Sequence, residues 1–514
     1  MKSNMTRLLA ILMAMLMIVG AFAMTACGDE IDEEQQGDPS GEQGGEENKT
    51  PEDEEEERLP LDYLPTTTYG GATINVMEWS VSDSVPGSAD NWVPWEEIDV
   101  DEGDGDPINN AIYDRNGYVE ELYDVVITKE YVSLNGTPQY VTHFRNNEST
   151  GDQAYQMITC RTNNIASFCL EGLMTDMNTL ENLHTDMPWW SQDSVRSYTM
   201  GDALFFAAPE MLLRDKGATA AVFYNQKVAS DHEINDLYEL AQNGEWTMDI
   251  MIEYAEDVTA DMDGDDLVSS AEDVYGLGGG GRDIPYFLFA GSGNKFAQID
   301  DDGYLELLYG DEESITIWQD LLDYVMYSDF FYGTNSDSTL IPEGFKPFES
   351  DKIFIMMGMV KTVNDLRNME SDYGVLPVPK YDEYQENYSS LVWVHHDSVL
   401  GIPGSCANTA DMISVILEHM SYISYYDVYP IFYDTIILGK SARDQQSKEM
   451  LELIFQTRSF DPGIYWLETS MHGSNSFLTL VETNTTNISS LWAGMQSKVE
   501  TAVEEFNEKI DELK

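Results

Sequence analysis

Apolar and polar positions along the chain fall into two alternating periods. Short β-type runs occur at Thr73–Met77, Val125–Ile127, Tyr155–Thr159, Ala221–Tyr224 and Ile353–Met357. Between them the apolar spacing turns helical. Asp106-Pro107 reads as an N-cap followed by proline at the first helical position, and Ile108, Ala111, Ile112, Val119 and Leu122 continue on one face. Further helices are expected at Met248–Val258, Ser314–Val325, Ala410–Tyr422 and Met495–Leu513. The last carries Met495, Val499, Ala502, Val503, Phe506, Ile510 and Leu513 on one stripe, which should dock on a lobe. Strands alternating with helices predict α/β sheets covered by helices on both faces, and no internal repeat interrupts the pattern.

The N-terminus departs from this pattern. Lys2 and Arg7 precede an apolar run from Leu8 to Met24, which ends in Thr25-Ala26-Cys27 and then Gly28-Asp29-Glu30. A positive start, an apolar middle and a small-residue exit predict a secretory signal over 1–26, with a retained membrane anchor as the alternative. Met24–Cys27 also resembles a bacterial lipobox. That resemblance implies that Cys27 is acylated and that the mature chain is lipid-anchored on the extracellular face of a bacterial membrane. Residues 28–60 hold 15 acidic side chains against Lys49 and Arg58 alone. A segment with so little to bury and so much like charge predicts an extended, disordered tether over 27–60.

Composition sharpens the picture. A chain of 514 residues exceeds the size at which a single core stops growing, so two or more lobes are expected. The 26 Lys+Arg against 94 Asp+Glu give a net charge of −68, and the body after residue 60 still carries 22 against 79. Such a surface repels phosphate backbones, which excludes nucleic acid as a partner, and concentrates cations. Beyond Cys27 the cysteines are Cys160, Cys169 and Cys406. They read as small buried apolar residues, with a Cys160–Cys169 pair as the alternative.

Few chemical motifs stand out. There is no Gly-x-Ser-x-Gly elbow, no His-Glu-x-x-His and no phosphate-binding Lys-Ser/Thr loop. Gly276–Gly281 satisfies Gly-x-Gly-x-x-Gly, but Pro285 follows where a nucleotide-binding helix would open. The run reads instead as a flexible turn that lets backbone approach a ligand or a helix. Asp261, Asp263, Asp265, Ser269 and Glu272 occupy positions 1, 3, 5, 9 and 12 of an EF-hand-type loop, with the Leu267 carbonyl at position 7. Asp266 stands where the sharp turn prefers glycine. The loop predicts a structural calcium clip, with a solvated acidic loop as the alternative. Trp79, Trp189, Trp190, Trp246 and Trp393 are candidates to stack on sugar rings, with core packing as the alternative for each. His395-His396 lacks the partners of a metal site and reads as a hinge or surface pair.

Several stretches together resemble the extracellular solute-binding proteins of family 1, the lipoprotein receptors of carbohydrate-importing ABC transporters. They are Asp106–Asn116, Pro188–Gln192, Gly201–Ala207, Val222–Lys227, Asn235–Leu240, Asn243–Thr247 and Tyr373–Lys380. The resemblance runs from about residue 65 to the C-terminus, and similar proteins often carry a calcium-type loop where 261–272 lies. It implies a type II periplasmic-binding-protein-like fold, with two α/β lobes joined by a hinge and a ligand cleft between them. Lobe one would comprise 61–178 plus 353–404, and lobe two 179–352 plus 405–514.

By position, Trp79 and Trp246 would stack on sugar, Arg282 and Asp283 would bond hydroxyls, and Met359 would form an apolar wall, with Glu210 and Asp215 behind them. The resemblance implies a monomeric, non-enzymatic receptor that delivers a sugar or oligosaccharide to membrane permease subunits. Two other readings stay open: a lipid-anchored glycan-degrading enzyme and a calcium-stabilised surface adhesion protein. The overall charge argues against an anionic ligand.

Overall fold

The structure, a computed structural model, describes residues 58–80, 95–101, 105–133, 138–268, 272–279, 283–332, 346–437, 445–467, 471 and 487–513. The expected signal over 1–26, the acylation site Cys27 and nearly all of the tether fall outside the described residues, as do Ser269 and Arg282. Residues from Leu59 onward form a single unit, organised around two sheets.

The first sheet has the order β12-β3-β1-β2. It contains β1 (Ala72–Ser80), β2 (Val125–Ser133), β3 (Met157–Cys160) and β12 (Val399–Gly401). β1 runs parallel to β2 in unbroken register, from Ala72 opposite Val125 to Ser80 opposite Ser133, and parallel to β3. Parallel pairing needs a crossover, which the helix Pro107–Tyr123 supplies. Its entry is built as expected: the Asp106 carboxylate accepts from the Ile108 N–H at 2.8 Å and the Asn109 N–H at 3.2 Å. At its exit Asp124 adopts φ 50°, a left-handed turn that delivers the chain directly into β2.

The second sheet has the order β10-β4-β9-β5-β8. Its strands are β4 (Ala220–Asn225), β5 (Tyr275–Gly279), β8 (Phe331–Tyr332), β9 (Ile353–Met359) and β10 (Tyr373–Leu376). β4 is antiparallel to β9 and β10, whereas β5 is parallel to β8 and β9. Two minor pairs complete the strands: β6 (Ala297–Ile299) with β7 (Leu305–Leu307), and β11 (Ser390–Leu391) with β13 (Arg458–Ser459).

This topology corrects the expected lobe boundaries. β9 and β10, assigned by position to lobe one, lie in the second sheet. β9 reads Ile-Phe-Ile-Met-Met-Gly-Met and buries both faces, so it needs a partner on each side, and β4 and β5 provide them. The chain rejoins the first sheet only at β12, antiparallel to β3. Conversely, the helix Ala410–Ile423, assigned to lobe two, packs on the first lobe. There Tyr123 OH meets His419 Nδ1 at 2.9 Å, and Arg115 donates to Ser424 Oγ at 3.1 Å just beyond the helix.

The glycine run also differs from expectation. Its described part, residues 276–279, lies in strand β5 rather than a turn, pressed on the helix Met248–Val258. A Cβ at Gly276 would lie 2.0 Å from the Ala255 carbonyl oxygen, so only glycine permits this approach. The C-terminal helix, Ile488–Leu513, docks as its stripe predicts, with Met495, Val499, Phe506 and Ile510 buried and Asn507 bonded to both backbone groups of Leu305 in β7. Cys160, Cys169 and Cys406 are all buried and free.

Candidate functional site

Strand ends place the polar side chains where the two lobes meet. β1 ends in Glu78-Trp79-Ser80. β3 ends at Cys160, so Arg161 stands at the mouth of the helix Thr162–Leu170. From the second sheet, β9 ends at Met359 and opens into a 3₁₀ helix, Val360–Asn368, whose first turn carries Lys361. Between them runs the crossing segment 392–398. Trp393 N–H donates to the Ala218 carbonyl of the second lobe at 3.0 Å, and β12 follows in the first. Elements from both lobes and the connection between them therefore converge on one place. That is where open α/β sheets generally bind ligands, beyond the carboxyl ends of their strands.

Trp79 is the centre of this junction. It is fully buried, its Nε1–H donates to Ser398 Oγ at 3.0 Å, and two guanidiniums face its ring: Arg161 at 4.6 Å and Arg214 at 5.2 Å from the centroid. Beside it the Asp397 carboxylate accepts from the Thr162 N–H at 3.0 Å and from the Thr162 hydroxyl, capping the helix that Arg161 introduces. Burial pushes the Asp397 carboxyl up to about 7, against the pull of these hydrogen bonds. Lys361 Nζ lies 2.7 Å from His396 Nδ1, and Asn163 Nδ2 lies 3.2 Å from His395 Nδ1. Each imidazole thus meets a nitrogen group from a different lobe at Nδ1. Burial pushes Lys361 down to about 7, with Arg161 adding to the effect and Asp365 and Asp283 opposing it. Burial and the neighbouring Lys361, Arg161 and His395 hold His396 neutral, well below its usual range.

A buried ion network supports Trp79 from behind. Arg214 pairs with Glu78 and with Glu97 (Nε to Oε2, 3.3 Å) and donates to the Trp79 carbonyl at 3.2 Å. Glu97 also accepts from the backbone N–H groups of Leu213 and Arg214, both at 2.7 Å. Lys129 lies 3.8 Å from Glu78 and pairs more closely with Glu96. The network fixes the end of β1 to the short helix Arg214–Gly217 that precedes β4, and so couples the two sheets through charge.

The positionally chosen residues divide between this junction and elsewhere. Trp79 and Met359 stand in it, and Asp283, at the start of the helix Ile284–Gly291, lies within electrostatic reach of Lys361. Two guanidiniums already lie against the fully buried Trp79 ring, so it contacts arginine rather than presenting a bare stacking face in this conformation. Glu210 and Asp215 do come together, but into ion pairs: Lys216 lies 3.0 Å from Glu210 and 3.3 Å from Asp215, and Arg458 lies 2.7 Å from Asp215. Trp246 is fully buried elsewhere, its indole donating to the Pro377 carbonyl at 3.0 Å. Trp189 and Trp190 are likewise core residues, both donating at 2.9 Å to the buried Glu418.

Within the calcium-type loop, carboxylate oxygens of Asp261, Asp263 and Asp265 gather within 4.8 Å of one another. Asp266 takes φ 67°, the left-handed conformation that glycine would supply at that position. The donor set is the hard oxygen type that calcium prefers. Leu267 turns its side chain to solvent, and Glu272 is exposed at the far end of the loop.

Arg161, Lys361, Asn163, Asp397 and Ser398 escaped the sequence reading. A usable signal was present, because Arg161 and Lys361 are the first charged residues after two apolar strand runs, 155–159 and 353–357. A separate open groove of about 900 Å³, lined by Glu233, Asp236, Glu253 and Asp257 together with His232, Asn235 and Tyr254, is built from the second lobe alone.

No family model matches the sequence, and no curated protein matches it either. Solved structures do share its architecture. The ABC substrate-binding protein Lmo0181 from Listeria monocytogenes, in complex with cycloalternan, superposes with a TM-score of 0.54 at 11% identity, covering 84% of this chain and 99% of its own. UspC of M. tuberculosis gives 0.54 at 14% identity, covering 84% and 100%. A cyclo/maltodextrin-binding protein complexed with maltotetraose gives 0.51 at 14% identity, covering 86% and 97%. At these identities the likeness establishes the fold: the two-lobe α/β architecture of ABC substrate-binding proteins.

Proposed function

We propose that this protein is the substrate-binding component of an ABC importer. It would capture a sugar or oligosaccharide between its lobes and deliver the cargo to a permease, without turning it over. The observation that carries this reading is the convergence of β1, β3 and β9 ends from two sheets on one polar junction around Trp79, crossed by the connecting segment 392–398. A ligand seated there touches both lobes at once, so binding energy goes into holding them together. The structures that share the fold include one holding cycloalternan and one holding maltotetraose, which supports carbohydrate as the cargo class. The reading extends to the membrane: the signal-like run ending at Cys27 would leave the receptor lipid-anchored and extracellular, with calcium as a structural clip in the 261–272 loop.

The test is a thermal-shift screen of the full-length protein against a glycan panel, followed by chromatography of the recovered glycan. A ligand at a hundred times its dissociation constant stabilises the native state by about 2.7 kcal/mol. A shift with one glycan class, recovered intact, is the expected result. Recovery of shortened chains would establish the hydrolase reading instead, and a flat panel would remove carbohydrate as the cargo.

A further inference from the structure

The net charge of the body predicts repulsion of anions, yet basic side chains gather at the junction around Trp79, among Asp397, Asp283 and Asp365. Besides the ion-paired Arg214, two cations and two imidazoles meet there in a chain with 26 Lys+Arg and 7 His against 94 acids. Arg161 comes from the end of β3, Lys361 from the turn after β9, and His395 and His396 from the crossing segment. We propose that this junction holds the anionic group of an acidic saccharide, a carboxylate or sulfate on a sugar ring, clamped between Arg161 of one lobe and Lys361 of the other. The inference rests on the carbohydrate-receptor reading and names the ligand class within it.

Three observations carry it. First, the geometry gathers nitrogen groups from both lobes: Lys361 Nζ lies 2.7 Å from His396 Nδ1, and Asn163 Nδ2 lies 3.2 Å from His395 Nδ1. Second, the Arg161 guanidinium sits 4.6 Å from the centroid of the Trp79 ring, itself fixed by Ser398. That contact restrains the fork which binds carboxylate or sulfate oxygens in pairs. The helix mouth beside it is already capped by Asp397, so the arginine and lysine rather than the helix dipole supply the positive field. Third, burial disfavours charge in this cluster: it depresses Lys361, with Arg161 adding to the effect and Asp365 and Asp283 opposing it, and together with Lys361, Arg161 and His395 it keeps His396 neutral. An anion at this point returns Lys361 to its charged form and ties the two lobes electrostatically.

Isothermal titration of the full-length protein with tetragalacturonate, a sulfated disaccharide and maltotetraose tests the inference. The expected result is binding of one or both acidic ligands at least about tenfold tighter than maltotetraose, the scale of one charge-assisted hydrogen bond. Affinity for the acidic ligand should fall from about pH 6 to about pH 9 as Lys361 loses its proton, with proton uptake on binding near neutrality. The variants K361M and R161M should each lose about tenfold or more for the acidic ligand and so remove its advantage over maltotetraose. The wild-type pH profile keeps the test valid if a variant fails to fold. Equal affinity for acidic and neutral glycans, or a preference for maltotetraose, overturns the inference and leaves the carbohydrate receptor standing. No binding of any saccharide overturns both.

Discussion

Arg214 shows at single-residue scale what a buried charge does in this fold. It neutralises Glu78 and Glu97, both fully buried, and its guanidinium covers Trp79. R214M should cost about 3–5 kcal/mol, because it leaves two carboxylates without their counter-charge. Urea denaturation checks this, and a loss below about 1 kcal/mol would mean that Lys129 alone sustains the network. Asp397 gives a pH signature. Its carboxyl is held up at about 7 when folded and ionises near 4 in the unfolded chain, so the unfolded state releases the proton first. The stability tied to Asp397 is therefore fully present below about pH 4 and is lost as pH climbs towards 7. D397N removes this slope, so the melting temperature of the native protein should fall relative to D397N between those limits. A parallel pair of curves would contradict the assignment.

At the scale of elements, most of the scaffold was legible in the order of residues. All five β-type runs contributed strands: those in β3, β4 and β9 are apolar enough to be buried along their length, whereas β2 alternates, with Val125 and Ile127 buried and Val126 exposed. Asp106-Pro107 opened a helix because capping chemistry is local. Pairing was not legible in the same way. Nothing in Ile353–Met359 states that its neighbours are residues 220–225 and 275–279, so position along the chain put it in the wrong lobe. The glycine run serves the close helix approach expected of it, but from a strand rather than a turn, because a glycine-rich segment carries no side-chain alternation from which a strand could be read. Two substitutions separate these uses of glycine. G276A forces a Cβ into the Ala255 carbonyl and should cost about 1–3 kcal/mol or more. G117A, in a helix with open space around its Cα, should stabilise by about 0.5–1 kcal/mol. Thermal melts of the two variants should move in opposite directions, and a shift of the same sign would contradict the packing of β5. For the 261–272 loop, calcium should raise the melting temperature of the native protein and leave a D263N/D265N variant unmoved, whereas an equal rise in both would place the ion elsewhere.

At the scale of the whole molecule, the sum of charges and their placement lead to different conclusions. A body with 79 acids and 22 Lys+Arg reads as hostile to anions, yet the structure gathers basic side chains at the strand ends where the lobes meet. Sequence reasoning identified the fold, and two of the residues it chose by position, Trp79 and Met359, lie at the junction. It missed Arg161 and Lys361, because a lone basic residue after a strand gains its meaning only when a second strand end is brought opposite. The account therefore stands on location: a saccharide held where the two lobes meet around Trp79. Hydrogen exchange of the full-length protein, with and without its saturating glycan, tests this most directly. The account predicts slowed exchange at 77–80, 158–163, 359–365 and 393–398 together, from both lobes and the segment between them. Protection confined to one lobe, as at the 232–257 groove, would contradict it.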